Sequence, residues 1–311
     1  MYVMERARIP VAVGPGAAAW AVDAIRRGGG EPVGLDEKPS GLVWTDPGAV
    51  EELQDVLRAH PGISWVQLPT AGVEQMAEAG VLDRRRRWTS AKGAYAEPVA
   101  EHALALLLAG LRYLPERARA RSWGQPAALT LFDQPVTVLG GGGITIALLR
   151  LLEPFRARVT VVRRSTEPVA GAVRTVTPTH LDEALAGARA VVLALALTPQ
   201  SRGMIGRKEL EVMDRQAWLV NVARGALVDT TALVGALRSD QIGGAALDVT
   251  DPEPLPAGHP LWDLQNCLIT PHTADTEQMT EPLLAARVAE NVRRLAAGHD
   301  LEGRVDPDLG Y

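Results

Sequence analysis

The stretch VTVLGGGGITIALLRLL, residues 136–152, carries a β-branched apolar run into four glycines and then into aliphatics at helical spacing. A strand, a tight turn and a helix in that order suit phosphate binding, because glycine lets backbone approach closely and the first helical N–H groups lack partners within the helix. In the register G-x-G-x-x-G, Gly140 and Gly142 fill the first two positions and Thr145 stands at the third. The first glycine serves the bend, the second admits a pyrophosphate, and the third permits close helix-to-strand packing. Only the packing role is lost. Gly142, Gly143 and Ile144 are therefore expected to offer backbone N–H groups to phosphate, with Thr145 holding the helix slightly farther from the strand.

A βαβ unit that starts here has its second strand in RVTVVRRST, residues 158–166. Where an acidic residue would bond ribose hydroxyls, this chain has Arg163, followed by Arg164, Ser165 and Thr166. A carboxylate at this point repels a 2′-phosphate, whereas guanidinium and hydroxyl groups bond it. NADP(H) is the expected cofactor, with NAD(H) as the alternative.

The same alternation runs through the chain. Strand-like runs occur at 9–13, 41–45, 64–68, 136–139, 158–162, 190–195, 217–222, 244–249 and 267–270, separated by helical patterns. That order predicts an α/β protein with parallel sheets covered on both faces. A length of 311 residues fits about two domains of ~100–200 residues each. A long helical segment from about Glu97 through Arg121 separates the first three runs from the glycine turn. A last one, from about Thr276 to Ala297, is too short to fold alone and must dock on a finished domain. The RRRR run at 84–87 reads as a solvated turn.

Composition narrows the partners. Hydrophobic residues make up 47% and charged residues 22%, and the formal net charge is -5, so no basic excess exists to neutralise nucleic-acid phosphates or anionic lipid. The most apolar stretch, 99–111, contains Glu101 and His102 and is shorter than the ~20 residues that span a bilayer. The N-terminus lacks an apolar signal core, and the single cysteine, Cys267, sits in an apolar strand-like run as a packing residue. A cytoplasmic protein acting on small molecules is expected, with no metal site, no nucleic acid and no membrane partner.

Three motifs follow in order: NVARGALVD (221–229), DVTDPEPLP (248–256) and LITPHTAD (268–275). Each places an ionisable group just past an expected strand, and parallel strands align their carboxyl ends along one edge. Arg224, Glu253 and His272 are therefore expected to converge. Guanidinium is a fixed, planar cation suited to a carboxylate, and imidazole titrates near neutrality, suited to proton transfer; a carboxylate on the ring orients it.

With these motifs the sequence resembles the D-isomer-specific 2-hydroxyacid dehydrogenase family, whose members carry N-x-x-R-G-x-x-V-D, D-V-x-x-x-E-P and T-P-H segments in this order. The resemblance implies two Rossmann-like doubly wound domains with a cleft between them. The substrate-binding domain would be 1–97 plus 282–311, and the dinucleotide-binding domain 98–281. It implies Arg224, Glu253 and His272 as catalytic residues reducing a small 2-oxo acid, such as glyoxylate or hydroxypyruvate, to the D-2-hydroxy acid. By the same resemblance Ala71, Gly72 and Val73 in LPTAGVE receive the substrate carboxylate, while Thr198, Val222, Ala223 and Asp248 line the cofactor, Asp248 facing the nicotinamide carboxamide. It also implies a homodimer, with 99–125 as the contact. Ser201 replaces the usual second threonine of the segment at 196–205, and Asp275 stands where the family has a small or apolar residue. Lys92 and Tyr95 are candidate specificity positions. Two alternatives stay open: a corepressor-like dinucleotide sensor on the same fold, and a phosphoglycerate dehydrogenase without a regulatory domain. Glu253 argues against a formate dehydrogenase, which has Gln there, and Ala71 against a phosphite dehydrogenase, which has Lys.

Overall fold

The computed structural model describes residues 8–310. The chain divides into two compact units, one running to Tyr95 and resuming at Thr276, the other Ala96–Asp275.

The first unit is built on β1 (Pro10–Gly14), β2 (Glu31–Pro32), β3 (Gly41–Trp44), β4 (Trp65–Gln67) and β5 (Arg87–Thr89), all parallel in the order β2-β1-β3-β4-β5. Helices α1 (Ala19–Arg27), α2 (Val50–Ala59) and α3 (Glu74–Glu78) connect them. Strands β3 and β4 are buried at every position, as strands covered on both faces must be. Trp44, Trp65 and Trp88 anchor the two apolar clusters on either side of the sheet. Strand β5 was not among the sequence runs because it emerges directly from the arginines. Arg84, Arg85 and Arg87 are exposed, as a solvated turn requires, Arg84 making a two-point bond to Asp308; Arg86 alone turns inward, donating to the carbonyls of Leu57 and Ile63 and pairing with Asp83.

The second unit holds seven parallel strands: β6 (Pro135–Leu139), β7 (Arg158–Val162), β8 (Arg174–Val176), β9 (Ala190–Leu193), β10 (Trp218–Asn221), β11 (Gly244–Leu247) and β12 (Cys267–Ile269). Their order, β12-β11-β10-β9-β6-β7-β8, reverses direction between β6 and β9, the switch point at which doubly wound sheets bind ligands beyond their strand ends. The expected long helix over 97–121 is two: α4 (Ala96–Leu111) and α5 (Leu114–Arg119), parted at Tyr113, whose φ of 54° is left-handed. Pro115 stands in the first turn of the second piece, where a missing N–H costs nothing. Helices α6 (Gly143–Leu152), α7 (Leu181–Leu185), α8 (Arg207–Val212) and α9 (Thr230–Arg238) complete the layers. Gly110 lets α4 lie against β10, since a Cβ there would come within 2.3 Å of the Trp218 ring. Cys267 is buried, and burial pushes its thiol up to about 12, in keeping with a packing role.

Helix α10 (Glu277–Ala297) then returns to the first unit, packing Ala285, Val288, Ala289 and Val292 against the α1 side of its sheet. Gly28 permits this approach, because a Cβ would sit 2.5 Å from the Ala289 carbonyl oxygen. No helix among the described residues is long and apolar enough to cross a membrane.

Candidate functional site

The glycine turn follows β6. Gly140 has φ +113°, and a Cβ there would lie 2.1 Å from the carbonyl oxygen of Ala194, so two carboxyl-end loops meet at a point only glycine tolerates. Gly142 precedes α6 with open space where a side chain would be, and no side chain caps that helix. Uncapped N–H groups of Gly143 and Ile144 beside an open glycine fit a dinucleotide pyrophosphate. Thr145, fully buried, turns its hydroxyl back onto the Gly140 carbonyl at 3.0 Å, so the β-branched side chain is accommodated with its polar atom satisfied. Arg163 follows β7, and its stem crosses Gly141, whose Cβ would come within 2.8 Å of the Arg163 Cδ. Arg164 is exposed beside it, and the Ser165 hydroxyl accepts from the Glu167 N–H at 3.2 Å.

After β9, the segment at 196–205 is folded by Ser201. Its hydroxyl accepts from the Thr198 N–H at 2.8 Å and donates to the Ala196 carbonyl at 2.8 Å, folding the segment that presents Thr198.

The loops after β10, β11 and β12 are neighbours because those strands are neighbours. Asn221 shapes the first: its side chain accepts from the Ala223 N–H at 3.0 Å and donates to the Arg224 carbonyl at 2.9 Å, with Val222 and Ala223 buried behind. Arg224 donates to the Ala223 carbonyl at 2.7 Å. Gly225 abuts the second loop so closely that a Cβ would stand 1.9 Å from the Thr250 carbonyl oxygen. Glu253, in that second loop, meets His272 of the third, Oε1 to Nδ1 at 2.6 Å. Asp275 belongs to the same cluster: burial raises its carboxyl above the usual range, with the charges of His272 and Arg224 opposing and that of Asp248 adding.

Asp248 is occupied from within this unit. Its Oδ1 accepts from the Thr270 hydroxyl at 2.5 Å and the Thr273 N–H at 2.9 Å and lies 3.2 Å from His102 Nε2, while Oδ2 accepts from the Ala274 N–H at 3.0 Å. Burial pushes this carboxyl up, but the bonds from His102, Thr270 and the two backbone N–H groups outweigh it and bring it down to about 2. His102 and Thr270 were absent from the sequence expectations. The available signal was one imidazole at the start of the aliphatic run that forms most of α4.

The substrate-loop candidates lie in the first unit, after β4. The Thr70 hydroxyl donates to the Gly72 carbonyl at 2.6 Å and the Ser90 hydroxyl to the Ala71 carbonyl at 3.3 Å, while Val73 is buried at the start of α3. Tyr95, a specificity candidate, is also buried and donates to the Pro69 carbonyl at 2.7 Å, bracing this loop.

Residues 102–274 match the family described as D-isomer specific 2-hydroxyacid dehydrogenase, NAD binding domain. An uncharacterized protein in the proB 3′ region of Corynebacterium melassecola is 36% identical over 93% of this chain and 95% of its own length. Glyoxylate reductase of Aeropyrum pernix is 32% identical over 71% of this chain and 68% of its own. Among solved structures, a D-isomer specific 2-hydroxyacid dehydrogenase of Xanthobacter autotrophicus Py2, in complex with NADPH and MES, is 28% identical, covers 98% of this chain and 100% of its own, and has a TM-score of 0.84. Motif order, the doubly wound sheets and these likenesses together make the chain a member of the D-isomer-specific 2-hydroxyacid dehydrogenase family, and thus an NAD(P)-dependent oxidoreductase.

Proposed function

We propose that the protein reduces a small 2-oxo acid of the glyoxylate or hydroxypyruvate kind to the D-2-hydroxy acid, with NADPH as reductant. The observation that carries this reading is the 2.6 Å contact between His272 Nδ1 and Glu253 Oε1, one loop from Arg224. With Nδ1 engaged, Nε2 is the ring atom left to give a proton to the carbonyl oxygen as it gains charge. Arg224 polarises that carbonyl and holds the substrate carboxylate, and the backbone N–H groups of Ala71, Gly72 and Val73 are assigned to substrate on the family resemblance. The nicotinamide, when bound, supplies the hydride. NADPH over NADH rests on Arg163 lying across the glycine turn with Arg164 and Ser165 beside it, and the Xanthobacter relative was solved with NADPH. A cytoplasmic homodimer joined through 99–125 completes the proposal.

The test is a panel of 2-oxo acids assayed with both nicotinamides. Arg224→Ala and His272→Ala should each lower turnover by about 10²–10⁴-fold, the range of a lost acid–base group, while cofactor still binds. Wild-type rates in both variants would reject the roles. Tight cofactor binding without turnover in the unaltered protein would favour a dinucleotide sensor, and equal affinities for NADH and NADPH would remove the cofactor preference.

A further inference from the structure

His272 has φ +52°, a left-handed conformation that a non-glycine residue rarely adopts unless its surroundings impose it. Asp248 imposes it. One buried carboxylate binds the Thr270 hydroxyl before the histidine and the Thr273 and Ala274 N–H groups after it. The Asp248 backbone carbonyl accepts from the His272 N–H itself at 2.9 Å. Four contacts from a single residue thus fix the turn on both sides of the imidazole.

Asp248 is fixed in turn from α4. His102 Nε2 lies 3.1 Å from Thr270 Oγ1 and 3.2 Å from Asp248 Oδ1. The Thr270 hydroxyl hydrogen is spent on Asp248, so the oxygen of Thr270 only accepts from His102, and an ionised carboxylate has no hydrogen to give. Nε2 of His102 must therefore carry a hydrogen and donate to this pair. Three donors converge on Asp248 Oδ1 and one on Oδ2, a connected polar network of the kind that rigidifies its neighbourhood.

We propose that His102 is a positioning residue for His272: through Asp248 and Thr270 it holds the left-handed turn that aims the imidazole at Glu253. The consequence for turnover rests on the catalytic reading of His272 above; the structural link does not. Misplacing a reacting group by about 1 Å costs on the order of 10²-fold in rate, so a side chain that acts on His272 through its neighbours can govern kcat.

The experiment compares His102→Leu with His102→Gln, because the Gln amide nitrogen reaches where Nε2 stands and donates, while Leu fills the space without donating. The ring resonance of His272, assigned by its loss in His272→Gln, is followed by NMR at one pH alongside kcat. H102L should shift that resonance and lower kcat by about 10²-fold, and H102Q should restore both. An unmoved His272 resonance in H102L overturns the proposal, as does an H102Q that behaves like H102L. If the unaltered protein turns over no 2-oxo acid while the resonance shifts and is restored as expected, the functional reading fails and the positioning link stands.

Discussion

His272 Nδ1 and Glu253 Oε1 lie 2.6 Å apart although their side chains are 45% and 41% exposed. A pair so open to water contributes only about 0–1 kcal/mol to folding, because solvent screens it and two side chains lose freedom to hold it. What the contact does is set ring orientation and leave Nε2 to the substrate. Glu253→Ala should therefore lower kcat by about 10²-fold, within the range of acid–base catalysis, while the midpoint of thermal unfolding barely moves. A variant that loses stability and keeps its rate would assign Glu253 to the fold instead.

Gly225 couples the arginine loop to the glutamate loop. An added Cβ would meet the backbone carbonyl oxygen of Thr250 at 1.9 Å and the Asp251 nitrogen at 2.6 Å, atoms that cannot rotate away as a side chain can. Gly225→Ala should cost about 1–3 kcal/mol as an overpacked site and push Arg224 off its position. Denaturant unfolding should show the loss, and kcat/KM for a 2-oxo acid should fall further than stability explains. Unchanged kinetics would mean that the Arg224 guanidinium is held independently of its own loop.

Nine of the twelve strands among the described residues were visible because each lies in an apolar run of four to six residues. The sequence hid β2, β5 and β8, which span two or three residues and lie in arginine-rich or proline-bearing segments where periodicity has no room to develop. That Glu253 and His272 would meet was legible because each stands in a loop following a strand of one parallel sheet. His102 was not, since a hydrogen bond from a helix to a residue far along the chain leaves no local pattern. Tyr113 also left no mark: its left-handed turn divides what looks like one continuous helical segment. The chain passes between units at Tyr95 and at Asp275, just before α4 begins at Ala96 and α10 at Glu277.

Thr145 replaces a glycine of the phosphate turn and ties it down. Its hydroxyl, buried, donates to the carbonyl of Gly140 at 3.0 Å. Thr145→Val keeps the shape and removes the donor, leaving a buried carbonyl short of a partner at a cost of about 1–3 kcal/mol. Thr145→Ser should retain the bond and most of the stability. Chemical denaturation of the three proteins checks this; if Val matches Thr, the hydroxyl is incidental and only side-chain volume matters at that position.

Asp275 is the departure from the family pattern with the clearest electrostatic consequence. Burial raises its carboxyl above the usual 3.8, His272 and Arg224 pull it down, and Asp248 adds to the rise. A folded value above the unfolded one means that the folded state binds more protons between the two, so this group's contribution falls as pH rises from 3.8 through the folded value, and stays lost above it. Asp275→Asn removes the penalty. It should raise the unfolding midpoint at pH 7, with the advantage shrinking to nothing below the unfolded value, where both side chains are neutral. The same charge repels an approaching dianion more than a monoanion, so D275N should gain more kcat/KM toward a 2-oxo diacid than toward glyoxylate. Measuring both substrates in one buffer separates the effects, because a general change in the site moves the two rates together, and equal gains would show that Asp275 does not sort substrates by charge.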